Sequence, residues 1–297
     1  MTRSQANLLL LMAGAIWGMG FVAQSTAMQS IGPLFFTGLR FLAATIVVLP
    51  FALRESKRAE KPLTRSNWLA FLWIGLMLFG AIAFQQIGLL YTSVTNSGFL
   101  TGLYVVMVPL LAVLLFRNWP HIVVWPAAIT AFVGIWFLSG GEIDSLNRGD
   151  WLTIIAAAFC AMQLIFISRS ASNTGRPLTL AVTQFAVCSA LGLALALVFE
   201  PISLDAIVNA GFQILYAGIF SGGVAFTLQV IGQRYTTAPQ AAIFLSSEAL
   251  FAALFAALFL GERLPPTGFL GCAFIFAAIL LVELLPPLLA RRRSLNP

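Results

Sequence analysis

Ten stretches of about twenty apolar residues follow one another along this chain with little between them, and that succession limits its possible folds severely. In hydrocarbon every backbone N–H and C=O must be bonded within the protein, which leaves only helices or the strands of a closed barrel. Twenty residues rising about 1.5 Å each cross a hydrocarbon core, and the runs lack the alternation of a barrel strand, so helices are expected. Composition points the same way. The chain is 60% hydrophobic and 9% charged, where a water-soluble globule carries roughly a quarter of its residues charged.

The expected spans are about 6–27, 33–53, 67–90, 95–116, 120–139, 151–169, 177–199, 209–232, 240–260 and 267–288. Connections are short and carry turn signals: Ile31-Gly32-Pro33, Gly140-Gly141, Gly175-Arg176-Pro177 and Pro265-Pro266. The first run imitates a secretory signal, with Arg3 before it and small residues after. Its length suits a span, and it is expected to remain uncleaved.

Shifting the sequence against itself by 144 positions, without a gap, brings Gln85 onto Gln229, Ile87-Gly88 onto Ile231-Gly232 and Tyr91-Thr92 onto Tyr235-Thr236. The same shift superposes Phe132 on Phe276 and Ile135 on Ile279, and lays Arg40-Phe41 over Gln184-Phe185. The chain reads as one unit written twice, residues 1–144 and 145–297.

Charge gives the orientation. With the N-terminus placed in the cytoplasm, thirteen of the sixteen basic residues fall on inner segments, and only Arg148 and Arg263 face outward. Acidic residues such as Glu142, Asp150, Glu200 and Glu262 collect outside. Basic residues favour the cytoplasmic side, so the bias predicts ten spans with both termini cytoplasmic, and the pI of 9.8 does not imply nucleic acid. Five spans per half is an odd number, so the second copy enters the membrane upside down. The fold class expected is an all-α membrane protein, ten transmembrane helices as two inverted five-helix repeats. Secondary transporters use that plan, because two similar halves of opposite orientation can open a midplane site to either side in turn.

Charge within a span is costly and points to function. Two residues qualify. Arg40 lies in the second span and Glu248 in the ninth. A guanidinium can hold a carboxylate bidentately, and a carboxyl can hold an ammonium or carry a proton. The alternatives are that the two pair with each other, or that Arg40 snorkels to the surface. Uncharged polar residues within the spans form a second set: Gln24, Gln85, Asn96, Gln163, Gln229 and Ser246. These need partners in neighbouring helices or in a ligand. Gln85 and Gln229 are repeat-related and could face each other about the pseudo-twofold axis. Trp17, unlike the tryptophans near span ends, sits mid-span, and Tyr104 could join it in lining a cavity. These ten residues form the candidate substrate-binding set.

No Gly-rich phosphate loop ending in Lys-Ser or Lys-Thr, no zinc motif and no nucleophile elbow occurs. Neither an enzyme nor a cofactor is expected. His121 is the only histidine, and Cys160, Cys188 and Cys272 lie in apolar runs without metal-ligand spacing, so no metal is expected.

Several of these residues, taken in order, resemble a known family. Trp17-Gly18 in the first span, Arg40-Phe41 in the second, Glu248 in the ninth followed by Leu260-Gly261-Glu262-Arg263-Leu264, and Gly271 in the tenth resemble the EamA-type branch of the drug/metabolite transporter superfamily. The resemblance covers essentially the whole chain. It implies export of small metabolites, commonly amino acids, across a bacterial inner membrane, through a central cavity between spans one to four and six to nine. Spans five and ten would be peripheral. Within the branch the chain is most similar to bacterial aromatic amino acid and amino acid exporters. Ala249 stands where the family usually has proline, which removes the resemblance's grounds for a kink beside Glu248. The loop hallmark also occurs once only, because the first half has Phe116-Arg117-Asn118 there. The partners implied are a small-molecule substrate and the lipid bilayer, with the protein a monomer or homodimer. Two other readings stay open: efflux of cationic or lipophilic drugs, and a membrane protein that transports nothing.

Overall fold

The computed structural model describes residues 1–92, 94–138, 146–259 and 266–295, with the backbone alone at 94–96, 138, 256 and 286–295. Its elements are α1 (Arg3–Ala27), α2 (Pro33–Arg58), α3 (Arg65–Gly88), α4 (Val94–Thr101), α5 (Tyr104–Phe116), α6 (Val124–Leu138), α7 (Arg148–Thr174), α8 (Pro177–Phe199), α9 (Leu204–Asn209), α10 (Gly211–Tyr216), a π-helical segment (Ala217–Ala225), α11 (Phe226–Gln233), α12 (Ala238–Leu245), α13 (Ser247–Phe259) and α14 (Pro266–Leu295). Among the described residues nine segments are long and apolar enough to cross a membrane, and α6 is a shorter apolar helix. The expected repeat boundary, the Gly140-Gly141 turn and the Leu260 to Leu264 motif lie outside the described residues.

Helix ends follow local chemistry. Thr2 accepts from Gln5 N–H and Asn147 from Asp150 N–H, each in a reciprocal capping box that satisfies first-turn donors. Pro33 and Pro177, 144 positions apart, open α2 and α8. Gly175, at φ 65°, ends α7 in the left-handed conformation that glycine adopts without steric cost.

Three expected spans are not continuous helices. The fourth is divided at Gly102-Leu103 and the ninth at Ser246, and these positions coincide under the 144-residue shift. Both breaks are tightened turns, with Val105 N–H on Gly102 O and Ala249 N–H on Ser246 O, i to i−3 bonds in place of i to i−4. The ninth span therefore breaks beside Glu248 without a proline. Ser246 contributes by donating its hydroxyl to the Ile243 carbonyl at 2.7 Å. The eighth span winds into a π-helix at Ala217–Ala225, while its repeat counterpart in α3 stays α-helical. The fifth span begins at Val124 rather than near 120, because Pro120 lies in non-helical backbone beyond the left-handed end of α5 at Arg117.

Packing obeys the repeat. Exchanging spans one to five with six to ten turns the α2·α8 and α6·α14 contacts into themselves, and exchanges α3·α7 with the contacts of α1 to α11 and the π segment. Small residues let backbones approach in these contacts. A Cβ on Gly18 would lie 2.6 Å from Ala252 N, and one on Gly38 would lie 2.7 Å from Leu193 N. Gly38→Val is accordingly expected to cost about 2 kcal/mol or more by forcing α2 from α8, read as a lower unfolding temperature of the detergent-solubilised protein.

Candidate functional site

A cavity of about 610 Å3, counting the space at its mouth, lies among spans one to four, six, eight and nine. Every one of its walls comes from a different segment: Trp17, Phe21 and Gln24 from α1, Arg40 from α2, and Leu78, Ile82 and Gln85 from α3. Thr101 and Tyr104 flank the break in the fourth span, and Leu245 and Glu248 flank the break in the ninth. Cys160, Gln163 and Leu164 come from α7, Ser221 from the π segment, and Phe226 and Gln229 from α11. Among the described residues the fifth and tenth spans, α6 and α14, contribute nothing, and neither does the seventh, α8, which the resemblance had placed on the cavity but which packs behind α2.

Eight of the ten sequence-based candidates line this one cavity: Trp17, Gln24, Arg40, Gln85, Tyr104, Gln163, Gln229 and Glu248. Ser246 does not. It is buried and its hydroxyl is turned back onto its own helix. The side chain of Asn96 lies outside the described residues.

Four wall positions are repeat pairs under the 144-residue shift: Ile82 with Phe226, Gln85 with Gln229, Thr101 with Leu245, and Tyr104 with Glu248. The two breaks thus present a phenol and a carboxyl at equivalent places. The Tyr104 hydroxyl is directed at the Glu248 carboxyl without closing a full hydrogen bond, and Cys160 stands beside both.

Arg40 is 2% exposed and has neither snorkelled nor paired with Glu248. Its guanidinium lies over the rings of Phe36 and Phe41, with centroids 5.4 and 5.0 Å away, and its Nε has no hydrogen-bond partner. Aromatic faces attract a cation but leave its N–H groups free for an acceptor. Among the described residues the cavity therefore holds one guanidinium and one carboxyl, each without an opposite charge beside it.

Amides fill the space between. Gln85 Nε2 donates to Thr101 Oγ1 at 2.9 Å, Gln229 Nε2 to Gln163 Oε1 at 3.4 Å, and Gln163 Nε2 to Gln184 Oε1 at 3.0 Å. That direction of donation leaves Gln229 Oε1 without a donor, and Gln24 Oε1 is likewise unpartnered. Buried polar atoms are normally bonded, so unpartnered ones around a cavity mark places for ligand or water. Trp17 is fixed by its indole N–H, which donates to the Ser221 carbonyl at 3.0 Å, and by its ring against Phe226 at 4.6 Å.

Sequence reasoning missed Phe21, Thr101, Cys160, Ser221 and Phe226 among the lining residues, together with the aliphatic Leu78, Ile82, Leu164 and Leu245. The repeat could not have supplied Thr101 or Phe226, because their counterparts Leu245 and Ile82 were not candidates either.

The sequence profile of the EamA-like transporter family matches residues 4–140 and again residues 147–284. The chain belongs to the EamA-like transporter family. An uncharacterized transporter of Archaeoglobus fulgidus is 32% identical over 282 residues, covering 95% of this chain and 87% of that protein. The uncharacterized transporter YwfM of Bacillus subtilis is 25% identical, with 94% of each chain covered. A crystal structure superposes with a TM-score of 0.79 over the full length of both chains at 18% identity, which establishes the shared fold. The two profile matches correspond to the two repeats, and this family member is a multi-pass membrane transporter of small molecules, not an enzyme.

Proposed function

We propose that the protein is an alternating-access secondary transporter that exports amino acids or closely similar small metabolites across a bacterial inner membrane, both termini cytoplasmic. The observation that carries this reading is a guanidinium and a carboxyl in one cavity, Arg40 and Glu248, neither of them ion-paired among the described residues, with unpartnered amide oxygens on Gln24 and Gln229. A zwitterion supplies what each lacks. Its carboxylate accepts from the guanidinium, and its ammonium offers three N–H donors to the carboxyl and the amide oxygens. A quaternary or lipophilic drug cation has no group for Arg40 and no N–H for the amides. The apolar wall of Trp17, Phe21, Leu78, Ile82 and Phe226 suits an apolar or aromatic side chain, in keeping with aromatic amino acids among the cargo. Alternating access is supported by the inverted repeats and by breaks at equivalent points of the fourth and ninth spans.

Uptake of labelled amino acids into liposomes holding the purified protein, with and without an imposed pH gradient, tests the reading. Flux of neutral and aromatic amino acids well above protein-free liposomes is the expected result. Flux of a cationic drug with no amino acid flux would replace it with the drug-efflux reading, and no flux of either would return the chain to the non-transporting class.

A further inference from the structure

α2 and α8 run antiparallel, and each lacks the usual side chain to cap its own N-terminus: Gly32 and Arg176 stand at the cap positions and form no such bond. Each helix instead takes its cap from the far end of the other. The Glu200 carboxylate, just beyond α8, accepts from Leu34 N–H and Phe35 N–H at 2.8 Å each. The Glu55 carboxylate, in the last turns of α2, accepts from Leu178 N–H at 3.1 Å, Thr179 N–H at 2.8 Å and the Thr179 hydroxyl at 2.7 Å.

A carboxylate on the free N–H groups of a helix start is favoured both by charge-assisted hydrogen bonding and by the helix dipole. The fit at one end is tight, because a Cβ on Gly32 would lie 2.2 Å from Glu200 Oε2. At the other end Arg176, itself buried, donates to the Lys61 carbonyl and reaches Ser56, tying down the segment after α2. Midway, Ser189 donates to the Gly38 carbonyl at 3.0 Å where Gly38 and Gly192 bring the backbones together.

Arg40 stands on α2 between the two caps. α2 runs unbroken through Pro50, and α8 carries neither a break nor a π segment. The irregular backbone lies elsewhere among the cavity walls, at Gly102-Leu103, at Ser246 and at Ala217–Ala225. We infer that Glu55 and Glu200 are positioning residues which clasp α2 and α8 into a single fixed post, so that Arg40 keeps its place while the remaining walls move to change access. One helix of the post belongs to each repeat. The moving units are then not the two repeats but the spans grouped around the post. This rests on the transport reading above for the role of Arg40.

The test closes the inner clasp covalently in the full-length protein. Ser56 Oγ and Thr179 Oγ1 are 3.3 Å apart, so Ser56→Cys with Thr179→Cys places two thiols within reach of a disulfide. Two readouts are taken before oxidation, after it, and after reduction: amino acid flux in liposomes, and labelling of Cys160 in the cavity wall by an impermeant maleimide from each membrane face, read by peptide mass. With the bridge closed, labelling from both faces and flux within about twofold of the reduced protein are expected. Loss of labelling from one face on oxidation, restored by reduction, would overturn the inference and make the clasp a gate.

The labelling arm needs no substrate. Absence of amino acid flux with labelling from both faces would sink the substrate assignment and leave the post standing, whereas labelling from one face only in the reduced protein would sink alternating access and the post with it. A second measurement uses Glu55→Gln with Glu200→Gln. It is expected to raise the amino acid KM about tenfold with little change in maximal rate, since Arg40 loses its fixed place. An unchanged KM would overturn the positioning role.

Discussion

Arg40→Gln is expected to lower amino acid flux at least thirtyfold while leaving a folded, membrane-inserted protein. The guanidinium is desolvated, stacked between Phe36 and Phe41, and bonded to no carboxylate among the described residues. Its hydrogen-bonding capacity is directed at the cavity. Removing one partner of a buried, hydrogen-bonded charge pair costs about 2–5 kcal/mol, and about 1.4 kcal/mol is a factor of ten. Because no ion pair within the protein is broken by the substitution, the loss falls on substrate and not on folding. The corresponding amine, an amino acid stripped of its carboxylate, separates this account from a general defect. It lacks the group that Arg40 holds, so its flux is expected to be low in the wild type and little changed by Arg40→Gln. If flux of amino acid and amine fell together, the guanidinium would be serving structure.

Why some of this was legible in the sequence and some was not follows from what each kind of residue signals. Apolar runs bounded by Gly-Pro turns gave the spans, because nothing else can cross a bilayer. Gln85 and Gln229 stood out because an amide in hydrocarbon is rare and repetition at the same register is rarer. Arg40 and Glu248 stood out by charge. Thr101, Cys160 and Ser221 carry no such mark, since small polar side chains are ordinary in membrane helices, and only the folded arrangement turns them to the cavity. Ser246 shows the converse. Its type and position suggested the cavity, but the backbone break rotates it back to the Ile243 carbonyl.

The π segment was illegible for a different reason. It depends on Gly218 and Gly222 letting the eighth span press onto α2, where a Cβ on Gly218 would lie 2.7 Å from the Arg40 carbonyl. Such an approach belongs to tertiary packing and leaves no periodicity in the sequence. Glu55 and Glu200 look like loop acids, and Glu200 served only to mark an outer segment. Their reciprocal use as caps requires the two helices to be antiparallel neighbours, which no local pattern specifies.

Glu248→Gln is expected to erase a preference as well as to reduce flux. The amide preserves shape and one acceptor but removes the charge that faces the ammonium, and charge-assisted bonds are roughly twice as strong as neutral ones. A loss of about 1.5–3 kcal/mol corresponds to a fall of about ten- to hundredfold in flux at low substrate. Wild-type protein should favour an amino acid over the same molecule lacking its amine, because the carboxylate-only analogue leaves Glu248 unmatched. In Glu248→Gln that discrimination should shrink to within a few-fold, since neither analogue then leaves a carboxylate without a cation. Tyr104 stays in place to donate to the amide oxygen, so the cavity keeps its lining. Competition between the two analogues against one labelled amino acid, in wild type and variant, measures the change directly. A variant that lost all flux, together with an Arg40→Gln protein that transported normally, would mark the cargo as a lone cation held by Glu248.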